Sequence, residues 1–143
     1  AERVEWVAPE VLRAERDSFM RQLEAWIADW QSLDSDRYLG NYSPGFRSDG
    51  MDLAAWQAHK RRVNAAKSWI KVSLANVSVF RDPGSPEGLV AVTFDQNYRS
   101  SNLAQQSRKR QYWIQDGRRW KIAYEAPVGA TKLALPESYP GKR

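Results

Sequence analysis

At 143 residues and 42% hydrophobic content the chain can form one domain with its own core, and no apolar run approaches the roughly 20 residues of a membrane span. The lack of cysteine excludes disulfides and thiolate chemistry, and a single histidine, His59, excludes a histidine metal cluster, so neither metal nor cofactor is expected. A net charge of +5 and a pI near 9.6 favour anionic partners without specifying one.

Residues 1–14 contain Pro9 and read as an N-terminal extension ahead of a domain at 15–126. The chain has neither an initiator Met nor a signal peptide, as expected of a processed form or an excised domain. Phe19, Leu23, Trp26, Ile27, Trp30 and Leu33 then fall on one stripe of an amphipathic helix, with Arg16, Asp17, Arg21, Gln22 and Asp29 opposite. Ser35 and Asp36 are placed to cap a short second helix holding Tyr38, Leu39 and Tyr42, which Ser43-Pro44-Gly45 would break. Asp49-Gly50 and Asp52 open a third helix across Leu53, Trp56, His59, Lys60 and Val63, ending near Ala66.

Strand patterning follows. Ile70, Val72 and Leu74 share one parity and Val77 and Val79 the other, which predicts a bulge near Ala75-Asn76. Residues 82–88 are dense in turn formers. Val90, Val92, Phe94, Gln96 and Tyr98 share one face of the next strand, and Lys109, Gln111, Trp113 and Gln115 one face of the strand after it. Asp116-Gly117 signals a tight hairpin, beyond which Trp120, Ile122 and Tyr124 alternate. Pro127, Gly129, Pro136, Pro140 and Gly141 mark residues 127–143 as an irregular tail. The expected fold is α+β, with about three N-terminal helices packed on a strongly curved antiparallel sheet of about four long strands.

Basic residues cluster at Lys60-Arg61-Arg62, at Arg108-Lys109-Arg110, and at Arg118-Arg119 with Lys121. No helix-turn-helix pattern, zinc-finger spacing or RNP-like aromatic motif accompanies them. They read as a solvated helix end and two hairpin tips, and no nucleic-acid partner is expected.

The order of several motifs carries a resemblance. It comprises the Trp26-to-Trp30 helix, Asp36-Arg37-Tyr38-Leu39-Gly40-Asn41-Tyr42 with Phe46, Trp56, and Val92 through Ser100. Ser107-Arg108-Lys109-Arg110, Trp113, Asp116-Gly117 and Trp120 through Glu125 complete the set. From about Phe19 to Glu125 the chain resembles the nuclear transport factor 2-like superfamily, which includes ketosteroid isomerases and polyketide cyclases. It looks most like the small domain on the C-terminal side of bacterial L,D-transpeptidase-like cell-shape proteins. The resemblance implies a pocket between sheet and helices, homodimerisation through the sheet, and a periplasmic location in the cell envelope. It does not imply catalysis, because the transpeptidase nucleophile is a Cys on a separate domain and none is present here.

Two chemistries fit these residues. An isomerase or cyclase would need a carboxylate base and an oxyanion hole, for which Asp36, Tyr38, Tyr42, Asp95 and Tyr98 are the candidate parts. Asp36 is more simply a helix cap, and the parity of Asp95 opposes that of Phe94, Gln96 and Tyr98, so it should point outward. A binding pocket would be lined by Gln96, Tyr98, Lys109, Gln111 and Trp113 from the sheet and by Tyr38, Tyr42 and Trp56 from the helices. Lys109 would receive a carboxylate, such as that of a peptidoglycan stem peptide, while Glu125 is expected to form a structural pair with Lys109 or Arg99. Leu89, Ala91, Thr93, Tyr112 and Ile114 would form an apolar patch on the uncovered sheet face, suited to a homodimer. The expected function is therefore a non-catalytic ligand-binding and oligomerisation accessory domain, with a small-molecule isomerase or cyclase as the alternative. An enzyme should hold a carboxylate in the interior, without a cationic partner and at a raised pKa, whereas a binding domain should have interior acids absent or ion-paired.

Overall fold

The computed structural model describes residues 9–81 and 88–128. Helix α1 (Pro9–Gln31) and the short α2 (Ser35–Leu39) come first, followed by strand β1 (Tyr42–Ser48) and the two-residue β2 (Met51–Asp52). Helix α3 (Leu53–Ala65) then leads into the long strands β3 (Ile70–Arg81), β4 (Val90–Ser100), β5 (Ala104–Asp116) and β6 (Arg119–Pro127). The strands form one sheet in the order β2-β1-β6-β5-β4-β3. Pro9 opens α1, so that helix reaches back into the segment read as an extension. Most of the expected tail, from residue 129, and nearly all of the 82–88 turn lie outside the described residues.

The α+β class and the four long strands match expectation, but the sheet has six strands and is mixed. The two additional strands come from the segment between the last residue of the second helix and the opening of the third, where no strand was expected. The second helix stops at Leu39, and Tyr42 starts β1, which runs parallel to β6. Ser43-Pro44-Gly45 does break the helix, but it then enters a sheet edge, where proline is tolerated. The cap is also shifted by one or two residues from the expected Ser35 and Asp36. Asp34 is the N-cap, its carboxylate accepting from the backbone N–H groups of Asp36 and Arg37. Asp52 caps α3 as expected, accepting from the Ala55 N–H.

Two bulges set which side chains face inward. In β3 the register with β4 shifts between Ala75 and Ser78, where Asn76 takes a positive φ of 52°, as the parity switch foretold. A second shift in the β5–β6 pairing lies between Tyr112 and Trp113, whose partners are Tyr124 and Ile122. Ala123 is the extra residue. The expected alternation of Trp120, Ile122 and Tyr124 therefore breaks: Ile122 is buried, Tyr124 turns outward to stack on Tyr112 at 5.0 Å, and Glu125 turns inward.

The helices cover one face of the sheet. Phe19, Leu23, Trp26 and Trp30 of α1 pack on Val90, Val92, Phe94, Trp113 and Ile122. Edge-to-face contact of Phe19 with both Trp113 (5.5 Å) and Trp120 (5.1 Å) fastens the middle of this helix to the end of the β5–β6 hairpin. Side chains of α1 also occupy the open edge of β3: Gln31 accepts from the Val72 N–H, and Arg16 donates to the Val77 carbonyl.

Candidate ligand pocket above a buried polar network

Glu125 is the chemical centre of the interior. The bulge at Ala123 delivers it to the helix-covered face, where it is 1% exposed. Its Oε1 accepts from the Gln111 amide at 2.8 Å and the Tyr42 hydroxyl at 3.1 Å, and its Oε2 from Lys109 Nζ at 3.3 Å. The Tyr38 and Tyr42 hydroxyls lie 3.0 Å apart. Because a carboxylate only accepts, Tyr42's single proton serves Glu125 and the Tyr38 proton serves Tyr42. Trp26 Nε1 donates to the Tyr42 oxygen at 3.2 Å, and Trp113 Nε1 donates to Gln111 Oε1 at 3.0 Å. Both carboxylate oxygens and the Tyr38, Tyr42, Gln111, Trp26 and Trp113 groups around them are hydrogen-bonded, as burial in a low dielectric requires.

Opposing effects act on this acid. Burial alone pushes the Glu125 pKa up, but the charges of Lys109 and Lys60 and the hydrogen bonds from Gln111 and Lys109 outweigh it, and the net shift is downward. The carboxyl is held ionised. Burial and the nearby Glu125 charge push the Tyr38 and Tyr42 hydroxyls well above their usual pKa, so both remain protonated donors.

A pocket of about 240 Å³ opens beside this network, between α3 and the β4–β5 face. Trp30, Lys60, Lys109, Gln96 and Tyr98 line it, together with His59, Val63, Asn64 and Lys67 from α3 and the turn after it. Lys60 Nζ sits 4.8 Å from the Trp56 ring and 5.4 Å from Trp30, while Lys109 Nζ is 5.7 Å from Trp30. Lys60 forms no ion pair within 4.0 Å among the described residues, and burial followed by repulsion from Lys109 lowers its pKa to about 8. Asn64 Oδ1, Gln96 Oε1 and Trp30 Nε1 are buried at this pocket without a hydrogen-bond partner among the described residues. The site therefore offers a cation together with unpaired amide carbonyls.

Of the residues singled out in the sequence, Gln96, Tyr98 and Lys109 line the pocket. Tyr38, Tyr42 and Gln111 lie beneath it in the Glu125 network, Trp56 backs Lys60, and Trp113 is fully buried against Phe19. Lys109 is engaged by Glu125, the structural pair that was expected, which leaves Lys60 and Lys67 as the pocket's cations for a guest. Asp36 lies outside the pocket, 84% exposed and paired with Arg61, and Asp95 points outward as expected, paired with Arg108. The proposed isomerase parts Asp36 and Tyr38 thus lie in different environments. Lys60, Asn64 and Lys67 were missed because the Lys60-Arg61-Arg62 run reads as a solvated end. Their signal was helical spacing, since Trp56, Lys60 and Asn64 stand at i, i+4 and i+8.

Residues 18–126 match the family model described as the Cds6 C-terminal NTF2-like domain. No curated protein matches the chain. Among solved structures, Bd1075 of Bdellovibrio bacteriovorus is similar with a TM-score of 0.78 and 23% identity, over 90% of this chain and 46% of that one. The helical cell shape determining protein Pgp2 of Campylobacter jejuni, as its K307A mutant, gives 0.69 and 21%, over 76% and 39%. An NTF2-like protein of unknown function from Pseudomonas putida KT2440 gives 0.63 and 16%, over 83% and 92%. The chain spans less than half the length of the first two structures, and these likenesses bear on the fold.

Proposed function

The chain belongs to the Cds6 C-terminal NTF2-like domain family, and from that premise we propose that it is a non-catalytic binding and oligomerisation domain of a bacterial cell-envelope protein, acting in the periplasm beside a peptidoglycan-modifying enzyme. The observation that carries this reading is the state of Glu125. The interior acid is ion-paired with Lys109 and held ionised below the usual glutamate range, the opposite of a poised general base. The isomerase or cyclase alternative is not favoured for the same reason.

The pocket chemistry suits a peptidoglycan stem peptide. A carboxylate would meet Lys60 and Lys67, and amide N–H groups would meet Gln96 Oε1 and Asn64 Oδ1, which want donors. Titration of a disaccharide-tetrapeptide muropeptide by calorimetry tests this. The Lys60→Ala/Lys67→Ala variant should bind at least roughly tenfold more weakly, as loss of a charged hydrogen bond worth about 1.5–3 kcal/mol implies. Unchanged affinity in a variant with native circular dichroism would remove the reading. Affinity should also fall as pH rises through about 8, where Lys60 of the free protein loses its proton. A flat profile between pH 7 and 9.5 would show that Lys60 does not contact the guest.

Oligomerisation would use the sheet face away from the helices. Phe80, Ala91, Tyr112 and Tyr124 stand in register across four strands, with Phe80 66% exposed. Such a row favours an apolar partner surface, and a second copy is the proposed one. Sedimentation should show a dimer at high micromolar concentration that Phe80→Glu dissociates. A wild-type monomer at that concentration would rule it out.

A further inference from the structure

The other half of the same outer face carries a different chemistry. Strand alternation that buries Ile70 and Val72 turns Lys71, Ser73 and Ala75 outward, and Trp69, the residue just before β3, is exposed. Ser73, Asn97 and Gln106 are aligned across β3, β4 and β5, and the next row is Ala75, Asp95 and Arg108. These rows line an open trough of about 440 Å³ whose walls, among the described residues, come from strands alone. Leu74, Gln96 and Ser107 also border it, but the Gln96 and Ser107 side chains serve the pocket on the opposite face, so this middle row presents its backbone here.

Three features mark the trough as a site. Its polar groups are uncommitted: the side chains of Ser73, Asn97 and Gln106 make no hydrogen bond among the described residues. Asp95, by contrast, is fixed by the Asn76 amide at 2.7 Å and Arg108 at 2.8 Å, and the bulge at Asn76 bends β3 around that end. Trp69 is 47% exposed just before the start of β3, about 13 Å from Ser73 at the usual rise per residue. Between indole and trough, exposed Lys71 and Arg99 stand in register and form no ion pair among the described residues.

We propose that this face, from Trp69 to Gln106, binds a carboxylate-bearing oligosaccharide. The indole offers a flat apolar platform for the C–H face of a pyranose ring. Lys71 and Arg99 receive a carboxylate on the ring beyond it, with Arg99 able to do so through two parallel bonds. Asn97, Gln106 and Ser73 provide donors and acceptors side by side, the pairing that vicinal hydroxyls require. The length of the face accommodates a few rings, and its position leaves the helix-side pocket free for a different guest.

Tetragalacturonate titrated into isotope-labelled protein, followed by NMR, tests the proposal. Saturable shifts are expected at the Trp69 indole N–H and the Asn97 and Gln106 side-chain amides, with affinity falling as salt rises. Trp69→Ala and Asn97→Ala/Gln106→Ala should each weaken binding tenfold or more, and a neutral N-acetylglucosamine tetramer should bind more weakly than the acidic probe. The double variant alters one half-buried and one exposed residue of the outer face, neither of which makes a side-chain hydrogen bond among the described residues, and native circular dichroism of that variant lets it read the site even if Trp69→Ala unfolds. No saturable binding, shifts concentrated at Trp30, Lys60 and Lys109 instead, or full affinity in the double variant would overturn the proposal.

Discussion

Replacing Glu125 with Ala is expected to destabilise the domain by about 3–5 kcal/mol, measured by urea unfolding, the cost typical of removing one partner from a buried ion pair. The carboxylate accepts three hydrogen bonds, from Tyr42, Gln111 and Lys109, and all three donors lose their acceptor at once. Lys109 is then left in the interior beside Lys60 with no counter-charge. Glu125→Gln keeps the volume and an acceptor but still removes the charge, so it should fall between wild type and Ala. The same pair gives acid sensitivity a definite sign. Since the folded-state pKa of Glu125 lies below its unfolded value of about 4.5, its contribution is complete above that pH and is lost as pH falls through the depressed folded value. The loss of stability between pH 5 and the acid transition should therefore be shallower in Glu125→Gln. An identical pH dependence would mean that the ion pair contributes nothing.

Glu125 also shows where the sequence was legible and where it was not. The stripe from Phe19 to Trp30 and the alternation from Val90 to Tyr98 repeat over many residues, so the large burial of their aromatic and branched side chains fixes which face is inside. The bulge in β3 was visible because it separates the apolar run Ile70, Val72 and Leu74 from the pair Val77 and Val79. The bulge at Ala123 was not, because Trp120, Ile122 and Tyr124 form a regular alternation on paper and only pairing with β5 breaks it. β5 keeps its alternation through Tyr112 and Trp113, and the partner strand alone carries the extra residue. That single residue moves Glu125 from the surface to the centre of the interior, which local pattern cannot foresee. β1 was lost for a related reason: Tyr42-Ser43-Pro44-Gly45 has turn chemistry, and its strand geometry comes from pairing with the distant β6. Lys60 escaped notice because a basic run gives no hint of which member turns inward.

Trp26→Ala is expected to cost a similar 3–5 kcal/mol, about the usual range for truncating a buried aromatic. Trp26 is fully buried, 5.4 Å from the Trp30 ring and 5.9 Å from Phe94, so truncation opens a void lined by both. Its indole N–H is a smaller matter. Trp26→Phe removes the donor to Tyr42 but keeps most of the ring, and the Tyr42 oxygen still accepts from Tyr38 and donates to Glu125. That variant should lose only about 1–2 kcal/mol. The two substitutions also separate at the pocket. Trp30 is the aromatic surface beneath both Lys60 and Lys109, and Trp26 is one of the rings that hold it. A void behind Trp30 lets it repack away from the lysines, so Trp26→Ala should weaken muropeptide binding under conditions where it remains folded, while Trp26→Phe should retain it. Equal binding by both variants would show that Trp30 keeps its place without Trp26, held by its contacts with Tyr38 and Tyr98 at 5.4 Å each.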